Sequence, residues 1–184
     1  MKDRPKSLPE KAAGIARDVA AVLVGVHREE AKALARIVWH AKSIFLLGAG
    51  RTGLVTRAFG TRLVQLGKVC HVVGESTTPA IGPRDLLLAC SRTGETKTVV
   101  VLAQASASSG AKVAVITADR RSTLARLGDV VVELPMAAEA VARQPLGSLF
   151  EQALFLLLDG MAWGIAEGRP EALFEMKLRH ANLE

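Results

Sequence analysis

The sequence predicts an α/β fold: one doubly wound domain over residues 1–184, with a five-stranded parallel sheet and additional helices at both ends of the chain. Short apolar runs alternate with segments of helical periodicity, which is typical of repeated strand–helix units. The apolar runs are continuous rather than alternating, which indicates strands covered on both faces. A chain of 184 residues can form one domain with a substantial core, but is too short for a separate substrate domain.

Each predicted element follows from these two patterns. Apolar residues recur at helical spacing in two N-terminal segments, Pro9 to about His27 and Glu29 to about Ala41. The apolar runs predict strands at Ile44–Leu47, Val69–Val73, Asp85–Cys90, Lys112–Thr117 and Val130–Leu134. The remaining segments predict helices at Thr52–Leu66, Glu95–Ser109, about Thr123–Leu127, about Leu146–Ala166, and from Pro170 onward.

The composition argues against several classes of protein. Hydrophobic residues make up 49% of the chain, so a disordered chain is not expected. The longest apolar stretch, Ala153 to Ala166, is interrupted by Asp159, and the N-terminus MKDRPKSLPEK lacks the apolar core of a signal peptide. We therefore expect a cytoplasmic protein with no membrane partner.

The cysteines, histidines and charges indicate neither a metal site nor a nucleic-acid partner. Cys70 and Cys90 lie in strand-like runs, where buried free thiols are expected, and the four histidines lack the spacing of a zinc site. The formal net charge is +6, but basic residues are interleaved with acidic ones and the chain has no tyrosine. A mild positive field of this kind suits a small anionic substrate just as well as a nucleic acid, so charge alone does not separate the two.

A glycine-rich loop follows the first predicted strand. Its sequence, Gly48-Ala49-Gly50-Arg51-Thr52-Gly53, fits the G-x-G-x-x-G template for dinucleotide binding. Glu75, at the end of the second predicted strand, falls about where a ribose-binding acid would lie. From these residues alone, a dinucleotide and another phosphate-bearing ligand both remain open.

A second loop, CSRTGETKT from Cys90 to Thr98, follows the third predicted strand and is rich in hydroxyl groups. Ser91, Thr93 and Thr96 surround Gly94 just where the next helix is expected to begin. Free amides and the positive dipole end of a helix, together with several hydroxyls, form a receptor for a phosphomonoester. Alternatively, Ser91 and Thr93 are only N-caps, although one hydroxyl would suffice for that.

Four segments together resemble the sugar isomerase (SIS) domain family, and within it the 6-phospho-3-hexuloisomerases. They are the two loops, Gly48–Gly53 and Ser91–Thr96, the segment QPLGSLFEQ from Gln144 to Gln152, and the terminal RHANLE from Arg179 to Glu184. The resemblance extends from about Ser43 to the C-terminus. It implies a flavodoxin-like SIS fold and assigns the glycine loop to a phosphosugar rather than to a dinucleotide.

The resemblance also implies an activity. Enzymes of this kind interconvert 3-hexulose 6-phosphate and fructose 6-phosphate through an enediol, without a cofactor, in the ribulose monophosphate pathway of formaldehyde assimilation. An SIS isomerase for another phosphosugar and a non-catalytic SIS module that senses a sugar phosphate remain as alternatives. A sensor would need no catalytic carboxylate or histidine.

Matching the family's motifs to this chain implies substrate and phosphate ligands in both loops: Gly48, Gly50, Arg51, Thr52, Ser91, Thr93 and Thr96. Arg51 faces the sugar in this interpretation, and the alternative is an Arg51 side chain exposed to solvent. Arg92 departs from the family, which usually has glycine at this position. Its side chain either adds a positive charge beside the phosphate or points to solvent.

The same matching implies two catalytic residues. Glu151 is the expected base, although Ser148 to Glu151 also reads as an S-x-x-E capping box in which Glu151 only supports a helix start. His180 is the candidate for ring opening or proton transfer, or else an ordinary surface residue. SIS isomerases commonly receive such a histidine from a neighbouring subunit, so we expect a homodimer or homotetramer. For Glu75 two roles remain open: a neighbour of the site, or an ordinary acidic residue of a loop.

Overall fold

A five-stranded, fully parallel sheet forms the centre of the computed structural model, which describes residues 7–182. Its strands, in the spatial order β2-β1-β3-β4-β5, are β1 (Ser43–Gly48), β2 (Val69–Val72), β3 (Leu86–Cys90), β4 (Lys112–Thr117) and β5 (Val130–Glu133). All five predicted strands are present, and their ends agree within one residue. The strand order reverses between β1 and β3, so the crevice beyond their carboxyl ends is the expected ligand site.

Within the described part of the chain, eight helical segments surround the sheet: α1 (Leu8–Val24), α2 (Arg28–His40), α3 (Gly50–Gln65), α4 (Lys97–Ser108), a 3₁₀ turn (Ala125–Leu127), α5 (Ala138–Ala142), α6 (Ser148–Glu167) and α7 (Ala172–Leu178). The sequence did not predict α5, because five residues are too few to show helical periodicity. The start of α4 was predicted two residues early, because Gly94 has a φ of +64° and keeps the chain out of helix up to Thr96.

Both faces of the sheet are covered, as the continuous apolar strands predicted. Alternate side chains of β1 and β3, such as Ile44 and Leu86, pack in a core shared with α1, α2, α3 and α6. Their neighbours Phe45 and Leu87 pack on the other face against Val99 of α4. This two-sided burial confirms the doubly wound α/β fold.

Helix α6 is the most apolar element and runs along the larger core. By length and composition alone it could cross a membrane. In this fold Phe150, Leu154 and Leu158 are buried in the larger core, and Asp159 accepts a hydrogen bond from Arg62 of α3 at 3.0 Å. It is therefore a core helix, and the cytoplasmic location expected from the sequence stays a prediction.

The two cysteines are free thiols, as predicted. Cys70 is half-buried on β2, where desolvation raises its pKa to about 12. Cys90 is fully buried at the end of β3, and burial raises the pKa of this thiol further above its ordinary value. Both side chains therefore stay protonated at neutral pH.

Candidate active site

The two predicted loops meet at the carboxyl edge of the sheet. Gly48, the last residue of β1, lies in register with Cys90, the last residue of β3, so the segments that follow them are neighbours. A cavity of about 180 Å³ lies between them. It is lined by Ala49, Thr52, Cys90, Ser91, Arg92, Thr93, Thr96, Gly147 and Glu151. Five of the predicted site residues are therefore brought together around one cavity.

The hydroxyl groups of the second loop are held by the loop's own backbone. The Ser91 hydroxyl accepts a hydrogen bond from the Gly94 N–H at 3.2 Å and lies 3.1 Å from the Thr96 hydroxyl. The Thr93 hydroxyl accepts one from the Glu95 N–H at 3.2 Å. Because a hydroxyl that accepts a bond still has a proton to donate, such groups can bind an anion in the cavity. The N-cap of α4 is Thr96, so Ser91 and Thr93 are not N-caps of this helix.

Gly94 and Glu95 have structural roles that the sequence did not reveal. A Cβ atom on Gly94 would lie 2.0 Å from the Ser122 hydroxyl oxygen, so the loop packs against residue 122 only because this side chain is missing. The Glu95 carboxylate accepts a hydrogen bond from the Thr123 N–H at 2.7 Å, which holds the pKa of this carboxyl below its usual value. Glu95 therefore supports the loop from outside the cavity.

The glycine loop packs the start of α3 tightly against β1. A Cβ atom on Gly53 would lie 2.6 Å from the carbonyl oxygen of Gly48. Gly50 has a φ of +56°, which glycine adopts without strain. Ala49, the N-cap of α3, supplies no side-chain hydrogen bond, so the amides of the first turn are available to a ligand. Thr52, also in this turn, is buried with its side chain at the cavity.

Glu151 is the carboxylate of the site. It lies in the first turn of α6 with its side chain 14% exposed, and it accepts a hydrogen bond from the Nε of Arg51, which is 69% exposed. The capping box is not formed, because the N-cap of α6 is Gly147 and the Ser148 hydroxyl donates to the carbonyl of Pro145 at 2.8 Å. The Glu151 carboxylate is thus directed towards Arg51 and the cavity.

His180 is placed far from this cavity within its own chain. It follows α7, where the neighbouring Arg179 donates a hydrogen bond to the carbonyl of Gln65 at 3.3 Å. Gln65 ends α3 and precedes β2, so His180 lies near the amino edge of the sheet, whereas Glu151 lies at the carboxyl edge. The two predicted catalytic residues do not meet in one protomer.

Two further candidates are resolved by the structure. The Glu75 carboxylate lies 3.2 Å from the Nη1 of Arg57, and Glu75 does not line the cavity, so it is a loop acid in an ion pair. Within residues 7–182, no three His, Cys, Asp or Glu side chains come together as metal ligands. The groups that line the cavity are suited to binding an anion and transferring a proton.

Comparison with known proteins identifies the family. The SIS domain family matches residues 37–158. The 3-hexulose-6-phosphate isomerase of Mycobacterium gastri is 39% identical over 172 residues, covering 91% of this chain and 86% of that protein. The enzyme of the same name from Bacillus subtilis is 34% identical over 165 residues, covering 86% and 89%.

A solved structure is similar over nearly the whole chain. It is that of a hypothetical protein from Methanococcus jannaschii, for which a molecular function of 3-hexulose-6-phosphate isomerase was inferred. It matches with a TM-score of 0.84 at 26% identity, covering 95% of this chain and 99% of that one. With its doubly wound sheet and its match over residues 37–158, the chain belongs to the SIS domain family.

Proposed function

We propose that this chain is a phosphosugar isomerase that interconverts 3-hexulose 6-phosphate and fructose 6-phosphate. Relatives named for this activity are 34% and 39% identical to it over most of its length. The observation that carries the proposal is that Ser91, Thr93 and Thr96 line the same cavity as Glu151. A phosphate anchor and a proton-transfer group thus border one small space, as this reaction requires.

The chemistry needs one mobile proton on carbon. The Glu151 carboxylate removes the proton from C2 of the 3-hexulose, and the electron pair left behind forms an enediolate across C2 and C3. Glu151 then returns the proton to C3, while a hydroxyl proton passes from O2 to O3 and the carbonyl forms at C2. Substrate and product are isomers, so no external oxidant or reductant is consumed.

Arg51 supports this step in two ways. Its guanidinium donates to the Glu151 carboxylate and so fixes the direction in which the base points. It also places positive charge beside the position where the enediolate oxygen becomes negative, which stabilises the transition state. The hydroxyl loop meanwhile binds the distant phosphate, and this binding energy keeps the reacting carbons near Glu151.

We propose in addition that the enzyme is a homodimer or homotetramer whose sites take His180 from a neighbouring protomer. His180 lies at the opposite edge of its own sheet, so a shared site requires a second copy. Helices α6 and α7 expose several large apolar side chains: Leu156, Trp163, Leu173 and Phe174. Because a protein rarely leaves such residues in contact with water, these helices are the natural contact surface between copies.

Exchange of hydrogen with solvent tests the activity. Fructose 6-phosphate incubated with the protein in deuterated water should gain deuterium at C3, which nuclear magnetic resonance detects. Deuterium at C1 instead would indicate an aldose–ketose isomerase that interconverts fructose 6-phosphate with an aldose phosphate. Binding of fructose 6-phosphate without any exchange would identify a sensing module and overturn the proposal.

A further inference from the structure

Arg92 occupies a fixed position in the hydroxyl loop. Its backbone carbonyl accepts hydrogen bonds from the Ala118 N–H at 2.9 Å and from the Thr117 hydroxyl at 3.2 Å. These bonds connect the residue to the end of β4 and hold its backbone beside the cavity. The half-buried Arg92 side chain is part of the cavity wall.

The guanidinium of Arg92 lies against the segment that leads into α6. A Cβ atom on Gly147 would be 3.2 Å from the Nε of Arg92 and 3.4 Å from its Cδ, so the arginine packs in space that a larger residue would fill. Gly147 is the N-cap of α6, and Glu151 lies in the first turn of that helix. Arg92 therefore joins the hydroxyl loop to the element that carries the carboxylate.

No carboxylate neutralises this charge within residues 7–182. The nearby acids have other partners, since Glu151 is paired with Arg51 and Glu95 accepts from the Thr123 N–H. Arg121, an exposed arginine at the same edge of the sheet, has its Nε 3.8 Å from the Asp119 carboxylate. A half-buried guanidinium without an acidic partner, in the wall of a hydroxyl-lined cavity, is suited to binding an anion from outside the chain.

We propose that Arg92 is a phosphate ligand of this site and that its guanidinium supplies the positive charge that the hydroxyl groups lack. The bound phosphomonoester neutralises Arg92, and the arginine remains packed on Gly147 at the start of α6. Because it concerns the same cavity, this role rests on the proposed phosphosugar function. It extends that function by naming the group that gives the hydroxyl loop its affinity for a doubly charged ligand.

Calorimetric titration with inorganic phosphate and with fructose 6-phosphate tests this role. Arg92→Gln should weaken the binding of both ligands by about tenfold, the size of one charge-assisted hydrogen bond. The affinity of Arg92→Lys for each ligand should lie between those of the unchanged protein and Arg92→Gln, because lysine keeps the charge and loses the planar fork of the guanidinium. Arg121→Gln removes a positive charge at the same edge from a residue that does not line the cavity. Its affinity for both ligands should stay within twofold of that of the unchanged protein.

The outcomes separate this role from the activity itself. Inorganic phosphate reports on the anion site even if fructose 6-phosphate is not a substrate, so failure of the isomerase proposal leaves the titration readable. Equal phosphate binding by the unchanged protein and Arg92→Gln, with matching melting temperatures, would overturn the role of Arg92. An equal loss in Arg121→Gln would overturn it too, because the effect would then come from net charge alone.

Discussion

The backbone groups at the helix ends are treated differently at the two edges of the sheet. At the amino edge, cations bind carbonyls at the ends of α2 and α3: Lys68 donates to Trp39 and Ala41 at 2.7 and 2.8 Å, and Arg179 donates to Gln65. At the carboxyl edge, α3, α4 and α6 begin without a capping side chain among the described residues. All three of these helix starts border the same cavity.

The difference separates structure from function. Helix carbonyls that are bound by lysine and arginine contribute to stability and leave nothing for a ligand to contact. Helix amides that no side chain caps favour the binding of an external anion. The starts of three such helices converge where the hydroxyl groups lie. Substitutions of polar side chains at the carboxyl edge should therefore change mainly binding and turnover, and those of polar side chains at the amino edge should change mainly stability.

The largest effect is expected at Glu151. Glu151→Gln should lower turnover by roughly two to four orders of magnitude, the scale of a general base, because the amide cannot accept the carbon-bound proton. Fructose 6-phosphate affinity should stay within a few-fold in calorimetric titration. Glu75→Gln removes an acid outside the cavity and serves as the control with unchanged turnover. A fully active Glu151→Gln protein would contradict the assignment of the base.

The next largest effect is expected in oligomers that mix two inactive variants, one changed at each edge of the sheet. Glu151→Gln and His180→Ala should each be nearly inactive, yet mixed oligomers should recover activity because some sites combine both intact residues. In a dimer that holds one copy of each variant, one of the two sites combines both intact residues, so about half of the sites are intact. Mixing is done by co-expression with two different tags, and recovery is measured on the doubly tagged fraction.

The complementation experiment can fail in a clear way. Doubly tagged oligomers with no recovered turnover would contradict a shared site. Light scattering that gives a stable, active particle of the 19.5 kDa chain mass would remove the oligomer itself.

Glycines at the two edges should differ in their cost to stability. Gly94→Ala should lower the free energy of unfolding by about 2–4 kcal/mol, because a Cβ there meets Ser122 and the φ is positive. Gly67, at the amino edge, also has a positive φ, but its Cβ would meet only the flexible Arg179 guanidinium. Gly67→Ala should cost about 1–2 kcal/mol. Denaturant unfolding measures both, and an equal loss would show that the Ser122 contact is unimportant.

The last comparison takes one polar side chain at each edge. Lys68→Met leaves two helix carbonyls without their donor and should cost about 1–3 kcal/mol of stability, with phosphate affinity unchanged. Ser91→Ala should instead weaken phosphate binding by roughly threefold to tenfold, with a smaller change in stability. Titration and thermal unfolding of both variants measure the contrast. The reverse pattern would contradict the division of roles between the edges.

Most of the fold could be predicted from the sequence because a strand that is buried on both faces is a continuous run of apolar residues. Each strand is a short, continuous apolar run, so its position could be read without knowing its neighbours. The hydroxyl loop was equally legible, since Ser91, Thr93 and Thr96 lie within six residues. The role of Glu151 rests on resemblance, because its spacing from Ser148 fits a helix cap as well as a base.

What the sequence could not reveal depends on contacts between distant segments. Arg92 and Gly147 are 55 positions apart, and nothing in either segment signals that they touch. The position of His180 depends on where α7 docks, which its short helix does not encode. The single-turn helix α5 likewise carries no periodic signal.

The residues that line the cavity include Cys90, whose thiol burial keeps protonated. A neutral sulfur adds no negative charge beneath a bound dianion, so it does not oppose the ligand. Thiolates are the form that reacts with aldehydes, alkylating agents and peroxides, and burial disfavours the thiolate form of Cys90. The site should therefore keep its activity in the presence of reactive carbonyl compounds that would inactivate an enzyme with an ionised cysteine.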